Sequence, residues 1–84
     1  STAIPFTVNS SQFMVHSPVH ATLIIYNILG QKIRTLVDGE MMPGSYQVIW
    51  DGKDDKGNKV SSGVYFYSFK AGENFETKKM IMLK

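Results

Sequence analysis

Cysteine is absent from these 84 residues, which removes disulfide frameworks and thiolate zinc sites from consideration. No run approaches the ~18 apolar residues of a membrane span. No segment shows a 3.6-residue hydrophobic period, so a helical bundle is excluded. Excess charge is also scarce. Nine Lys plus Arg stand against seven Asp plus Glu, and a net charge of +2 is too small to imply nucleic acid. The opening STAIPFTVNSS lacks a basic region followed by an apolar core, so it does not read as a signal peptide. If the parent is exported, this chain is expected to be a piece of something longer.

What the chain has is alternation. Hydrophobic residues make up 43% and charged residues 19%, an ordinary globular composition in a length that suits one domain. Residues 1–11 are mostly small and polar around Ile4, Pro5 and Phe6. Pro5 lacks a ladder donor, which predicts an edge segment or an entry loop. Residues 12–16 (QFMVH) form a short candidate strand ahead of the Ser17-Pro18 turn. In residues 20–27 (HATLIIYN), Ala21, Leu23 and Ile25 share one face and Thr22, Ile24 and Tyr26 the other. Both faces are apolar, as in a central strand. NILG (27–30) is a tight connection, with Asn and Gly suited to positive φ. In the return strand 31–37, Ile33 and Leu36 stand three apart, which breaks the period of two and predicts a bulge.

Residues 38–45 (DGEMMPGS) read as a loop. Tyr46, Val48 and Trp50 then alternate with Gln47 and Ile49 in a half-buried strand. The polar stretch 51–62 leads to a strand over 64–70, with Tyr65, Tyr67 and Phe69 opposite Val64, Phe66 and Ser68. AGEN (71–74) is a hairpin turn, and residues 75–83 form the last strand. Seven short strands with turn signals every 8–12 residues predict an all-β, immunoglobulin- or fibronectin-III-like antiparallel sandwich as one domain over 1–84.

The chemistry-bearing candidates are few. Asp51, Asp54, Asp55 and Asn58 offer oxygen ligands of the kind calcium takes, but Gly52 and Gly57 break the EF-hand spacing and no glutamate closes the loop. Turn chemistry is the favoured reading, with Asp and Asn side chains holding their own backbone and the glycines at positive φ. Trp50, Tyr65 and Tyr67 have the character of a sugar-stacking platform, yet aromatics on neighbouring strands more often fill a sandwich core. By parity, Tyr26 and Phe66 are the better candidates for an exposed contact. His16 and His20 flank a turn without a third ligand, so no metal site is predicted. No serine sits in a nucleophile elbow, and the Asp54-Asp55 pair has nothing to bury it and tune its pKa. No cofactor is expected.

Three blocks in order, TLIIYNILGQKIRTLVDGE, PGSYQVIWDGKDDKGNKVSSGVYFYSFKAG and TKKMIMLK, carry a wider likeness. Over residues 12–84 the chain resembles the FlgD-type immunoglobulin-like domain. It is most similar to the type A C-terminal sorting domain of type IX (Por) secretion cargo. That family's Pro-x-Gly-x-Tyr motif corresponds here to Ser61-Ser62-Gly63-Val64-Tyr65, with serine in place of proline. Its glycine turn, paired lysines and short apolar tail correspond to Gly72, Lys78-Lys79 and MIML, closed by Lys84. Its Pro-Asn-Pro-Phe-like opening is met only in part, by Ile4-Pro5-Phe6. The flagellar hook-cap version shares WDGKDDKGN, so that block alone does not separate the two.

The resemblance implies a non-catalytic C-terminal module of a larger exported protein, carried through the periplasm and across the outer membrane to the cell surface or medium. Its partner would be secretion machinery or a cell-surface protein, with Gly63, Tyr65, Gly72, Lys78, Lys79 and Lys84 as the recognised signal. Strand addition at the edge and charge pairing with the lysines are the expected means of recognition. The same lysines read equally well as edge-strand gatekeepers against aggregation. Trp50, Asp51, Gly52, Asp55 and Gly57 would shape the loop and core. The alternatives are a carbohydrate-binding or structural accessory of a secreted hydrolase, and a hook-cap-like assembly domain.

Overall fold

The computed structural model describes residues 2–9 and 18–83. It contains six strands: β1 (Thr2–Val8), β2 (Val19–Asn27), β3 (Lys32–Met41), β4 (Gly44–Trp50), β5 (Gly63–Ala71) and β6 (Asn74–Met82). All pairings are antiparallel, and no helix is present among the described residues. The strands form two sheets, β1-β4 and β3-β2-β5-β6, arranged as an immunoglobulin-like sandwich. Among the described residues there are six strands, against seven expected for the chain. The candidate strand at residues 12–16 lies outside the described residues, as do His16 and Lys84.

Two segments expected to be irregular are extended. The N-terminal segment is strand β1, paired with β4 from Thr2↔Trp50 to Val8↔Gly44. Pro5 fits there because its ring faces outward while Ile4, Phe6 and Val8 point into the core. Residues 38–45 are also mostly strand. β3 continues to Met41 and β4 starts at Gly44, so only residues 42–43 connect them. Glycine and acidic residues disguise this stretch, but Asp38 and Glu40 face outward and pair across to Thr22 and His20, as an edge strand allows.

β2 lies between β3 and β5, as two apolar faces require. Ala21, Leu23 and Ile25 are completely buried. On β3 the register slips twice, leaving Leu36 unpaired between Thr35 and Val37, and Ile33 unpaired between Lys32 and Arg34. Each slip resets the alternation, so Ile33 and Leu36 both pack against the core although they stand three apart. The two sheets meet through Phe6, which stacks on Tyr46 at 5.5 Å between ring centroids and meets Phe69 across the interface at 5.0 Å with the rings tilted. Trp50 is fully buried at the other end of β4 and meets Tyr65 edge-on at 5.1 Å. Phe6, Trp50, Tyr65 and Phe69 add favourable edge and tilted ring contacts to a core whose other buried members are aliphatic or Met.

Two hairpin tips differ in their chemistry. In the β5–β6 tip, Ala71 pairs with Asn74 around Gly72-Glu73, so the loop is two residues rather than the four of AGEN. Gly72 at φ +60° supplies the left-handed first position of a type II′ turn. In the β2–β3 tip only Gly30, at φ +79°, is left-handed. Asn27 acts instead through its side chain, whose oxygen accepts the N–H groups of Leu29 and Gln31, each at 2.9 Å.

Candidate functional site

The long connection from β4 to β5 is a clamp rather than a slack loop. Trp50 ends β4 and donates its indole N–H to the Lys53 carbonyl at 2.9 Å. Asp51 accepts the Lys53 N–H at 3.0 Å and an Arg34 guanidinium N–H at 2.9 Å. Asp54 accepts two backbone N–H groups, from Lys56 and Asn58, both at 2.9 Å. Asp55 reaches across to the free edge of β3: its carboxylate accepts the Thr35 N–H at 3.1 Å, and its own N–H donates to the Ile33 carbonyl at 3.0 Å. Gly52 at φ +78° and Gly57 at φ +85° make the turns. The acidic residues of the loop are therefore committed to turns and to capping a sheet edge, as the turn reading expects. Among the described residues no three His, Cys, Asp or Glu side chains cluster in a way that could hold a metal.

Of the residues expected to form a recognition signal, three shape the backbone. Tyr65 is buried and donates its hydroxyl to the Ser61 carbonyl at 2.6 Å. A tyrosine near the start of a strand that ties itself to the preceding corner is a recurring brace of immunoglobulin-like sandwiches. Gly63 opens β5 at φ +151°, a conformation outside the reach of a residue with a Cβ. Gly72 donates its N–H to the His20 carbonyl at 3.2 Å, tying the hairpin tip to β2. Lys78 and Lys79 are exposed on β6, and because strand side chains alternate they project from opposite faces. Lys78 pairs with Glu76 on its own strand at 3.2 Å. Lys79 stands beside Phe66 on the outer face.

That outer face carries a row running Lys32, Tyr26, Phe66, Lys79 across four strands. Tyr26 and Phe66 are half-buried neighbours, as parity predicts, whereas Trp50 and Tyr65 are core. Exposed Ile28, Val64 and Ile81 extend the row towards one end of the sheet. A shallow depression of ≈ 270 Å³ opens there, lined by Asn27, Ile28, Ser62, Gly63, Val64 and Tyr65. Its lining contains no His, Asp, Glu or Lys side chain that could act as a base. At the opposite end His20 lies between Asp38 at 3.0 Å and Glu40 at 3.6 Å, all three well exposed. No helix of the described residues is long and apolar enough to cross a membrane.

The family model of the FlgD Ig-like domain matches residues 5–74. The chain belongs to the FlgD Ig-like domain family. Comparison with curated proteins and with solved structures gives no match. The matched stretch of this FlgD Ig-like domain runs from the middle of β1 through β5, takes in the clamp and the tyrosine brace, and stops where β6 begins. Sequence reasoning missed Arg34 and Ser61, the partners of Asp51 and Tyr65. Arg34 had one available signal: it is a charged residue between Ile33 and Leu36 at the broken period.

Proposed function

We propose that this FlgD Ig-like domain is a non-catalytic sorting module carried by a larger exported bacterial protein, recognised by secretion machinery or a cell-surface receptor on the way to the surface or medium. The observation that carries this reading is the display of Lys79 on β6, exposed at the sheet edge beside the aromatic row. Gly63, Tyr65 and Gly72 then have an indirect part: they hold β5 and β6 in place so that the lysines are presented. The resemblance of Gly63-Val64-Tyr65, Gly72 and Lys78-Lys79 to the sorting motif supports the same assignment. The partner surface is acidic, since charge complementarity sets orientation and encounter rate.

The test is a Lys79→Glu change in the intact parent, followed by its partition between periplasm and medium. Periplasmic accumulation of a folded variant supports the reading, and unchanged export refutes it. A second reading, a hook-cap-like assembly domain, draws support from the family itself. It predicts that the parent carries flagellar assembly regions and that its loss leaves hooks incomplete while export of other cargo is normal.

A further inference from the structure

β6 is an edge strand, and its order of charges is self-complementary. Among the described residues nothing pairs with it on the side away from β5. The two-residue turn makes Ala71 and Asn74 a hydrogen-bonded pair, and pairs alternate from there. The N–H and C=O groups of Phe75, Thr77, Lys79 and Ile81 therefore point away from β5, to the open side. A second strand must offer the same outward-pointing set, so only a few antiparallel registers exist for two copies of β6. Centring on Glu76 sets glutamate against glutamate. Centring on Lys78 or Lys79 sets lysine against lysine. Centring on Thr77 places Glu76 opposite the second copy's Lys78, and Lys78 opposite its Glu76. These fall in non-hydrogen-bonded pairs, where side chains come closest. The same register sets Phe75, 67% exposed in the single chain, beside the stem and ammonium of the other Lys79.

We propose that two copies of this chain pair edge to edge through β6, antiparallel about a two-fold axis at Thr77, to form a continuous eight-stranded outer sheet. Glu76 and Lys78 already meet within one strand at 3.2 Å, so the pairing completes an alternating square of four charges. Like charges meet in the registers centred on Glu76, Lys78 and Lys79, so charge favours the Thr77 register over those three. The contact is small, and the association it supports is weak and salt-sensitive. It stands on the charge order of β6 alone and does not depend on the export reading.

Charge reversal tests it with residues that are exposed and outside the core. The 84-residue chain is studied by sedimentation equilibrium up to about 1 mM, the upper end of weak association. A monomer–dimer equilibrium is expected for the natural chain. E76K alone and K78E alone each set like charges opposite one another, and each is expected to weaken self-association by roughly tenfold or more. An equimolar mixture of the two restores the dimer. One strand then carries lysine at both positions and faces a strand carrying glutamate at both, so each cross-strand pair is again of opposite sign. T77P removes one outward N–H without touching the β5 ladder and is expected to be monomeric. A natural chain that stays monomeric throughout overturns the proposal. So does E76K dimerising as tightly as the natural chain, or a mixture no tighter than either variant alone.

Discussion

The Asp55 carboxylate accepts the Thr35 backbone N–H at 3.1 Å, while the Asp55 N–H donates to the Ile33 carbonyl at 3.0 Å. One loop residue thus behaves as a short additional strand against the free edge of β3, at the point where the register slips. The clamp covers an edge that would otherwise be open to pairing, and it anchors the loop that leads into β5. Asp55→Ala is expected to lower unfolding stability by about 1 kcal/mol, because the ~1.5–3 kcal/mol of a hydrogen bond to a charged group is reduced at an exposed site. Asp55→Asn, which keeps an acceptor oxygen, should lose less. Urea unfolding followed by tryptophan fluorescence measures both, and equal losses would contradict the assigned role.

Gly52 and Gly57 lie in the same loop at similar left-handed φ, 78° and 85°, but in different surroundings. A Cβ on Gly57 meets open space, whereas one on Gly52 runs into the terminal methyl of the buried Met82. Gly57→Ala should cost roughly 1 kcal/mol, from backbone conformation alone. Gly52→Ala should cost somewhat more, roughly 1–3 kcal/mol, because the far end of the Met82 side chain must also swing aside. Thermal denaturation of the pair checks the order, and the reverse order would be fatal to this account of the loop.

Tyr65→Phe deletes a hydroxyl and leaves a ring of the same shape against Trp50. The Ser61 carbonyl loses its donor, and stability is expected to fall by about 1–2 kcal/mol. Trp50→Ala removes the largest fully buried side chain and is expected to cost about 3–5 kcal/mol, enough to prevent folding of a domain this small. Near-ultraviolet circular dichroism distinguishes a loosened corner from a lost core.

Calcium offers a fourth check. Asp51, Asp54 and Asp55 each already accept backbone N–H groups. A cation would have to compete with these bonds, so millimolar calcium or excess chelator should leave the thermal midpoint unchanged. A calcium-dependent rise would show that the loop is a cation site instead.

Much of the architecture was legible because its signals are local. The alternation in residues 20–27 marked a central strand, and the Ile33–Leu36 spacing marked the irregular β3. Trp50 and Tyr65 read as core because aromatics on neighbouring strands fill a sandwich interior. The extent of β3 and β4 was hidden, because Asp38, Gly39 and Pro43 carry turn chemistry yet lie in or beside an edge strand, where outward polar residues cost little. β1 was half-hidden for the same reason, with Pro5 on its outward face. The clamp was beyond sequence reasoning: Arg34 to Asp51 and Thr35 to Asp55 span 17 and 20 residues, and nothing in composition joins them. The placement of the paired lysines was hidden too, since Lys78 and Lys79 look like one basic patch until alternation sets them on opposite faces of β6.

Export itself is the most direct measurement. Residues 1–84 are joined to the C-terminus of a periplasmic passenger in a bacterium that has type IX secretion, and the passenger is assayed in the medium. Release is predicted with the natural module, and retention with a Lys79→Glu module that melts at the same temperature. Equal release from both, or release from neither, would contradict the sorting role.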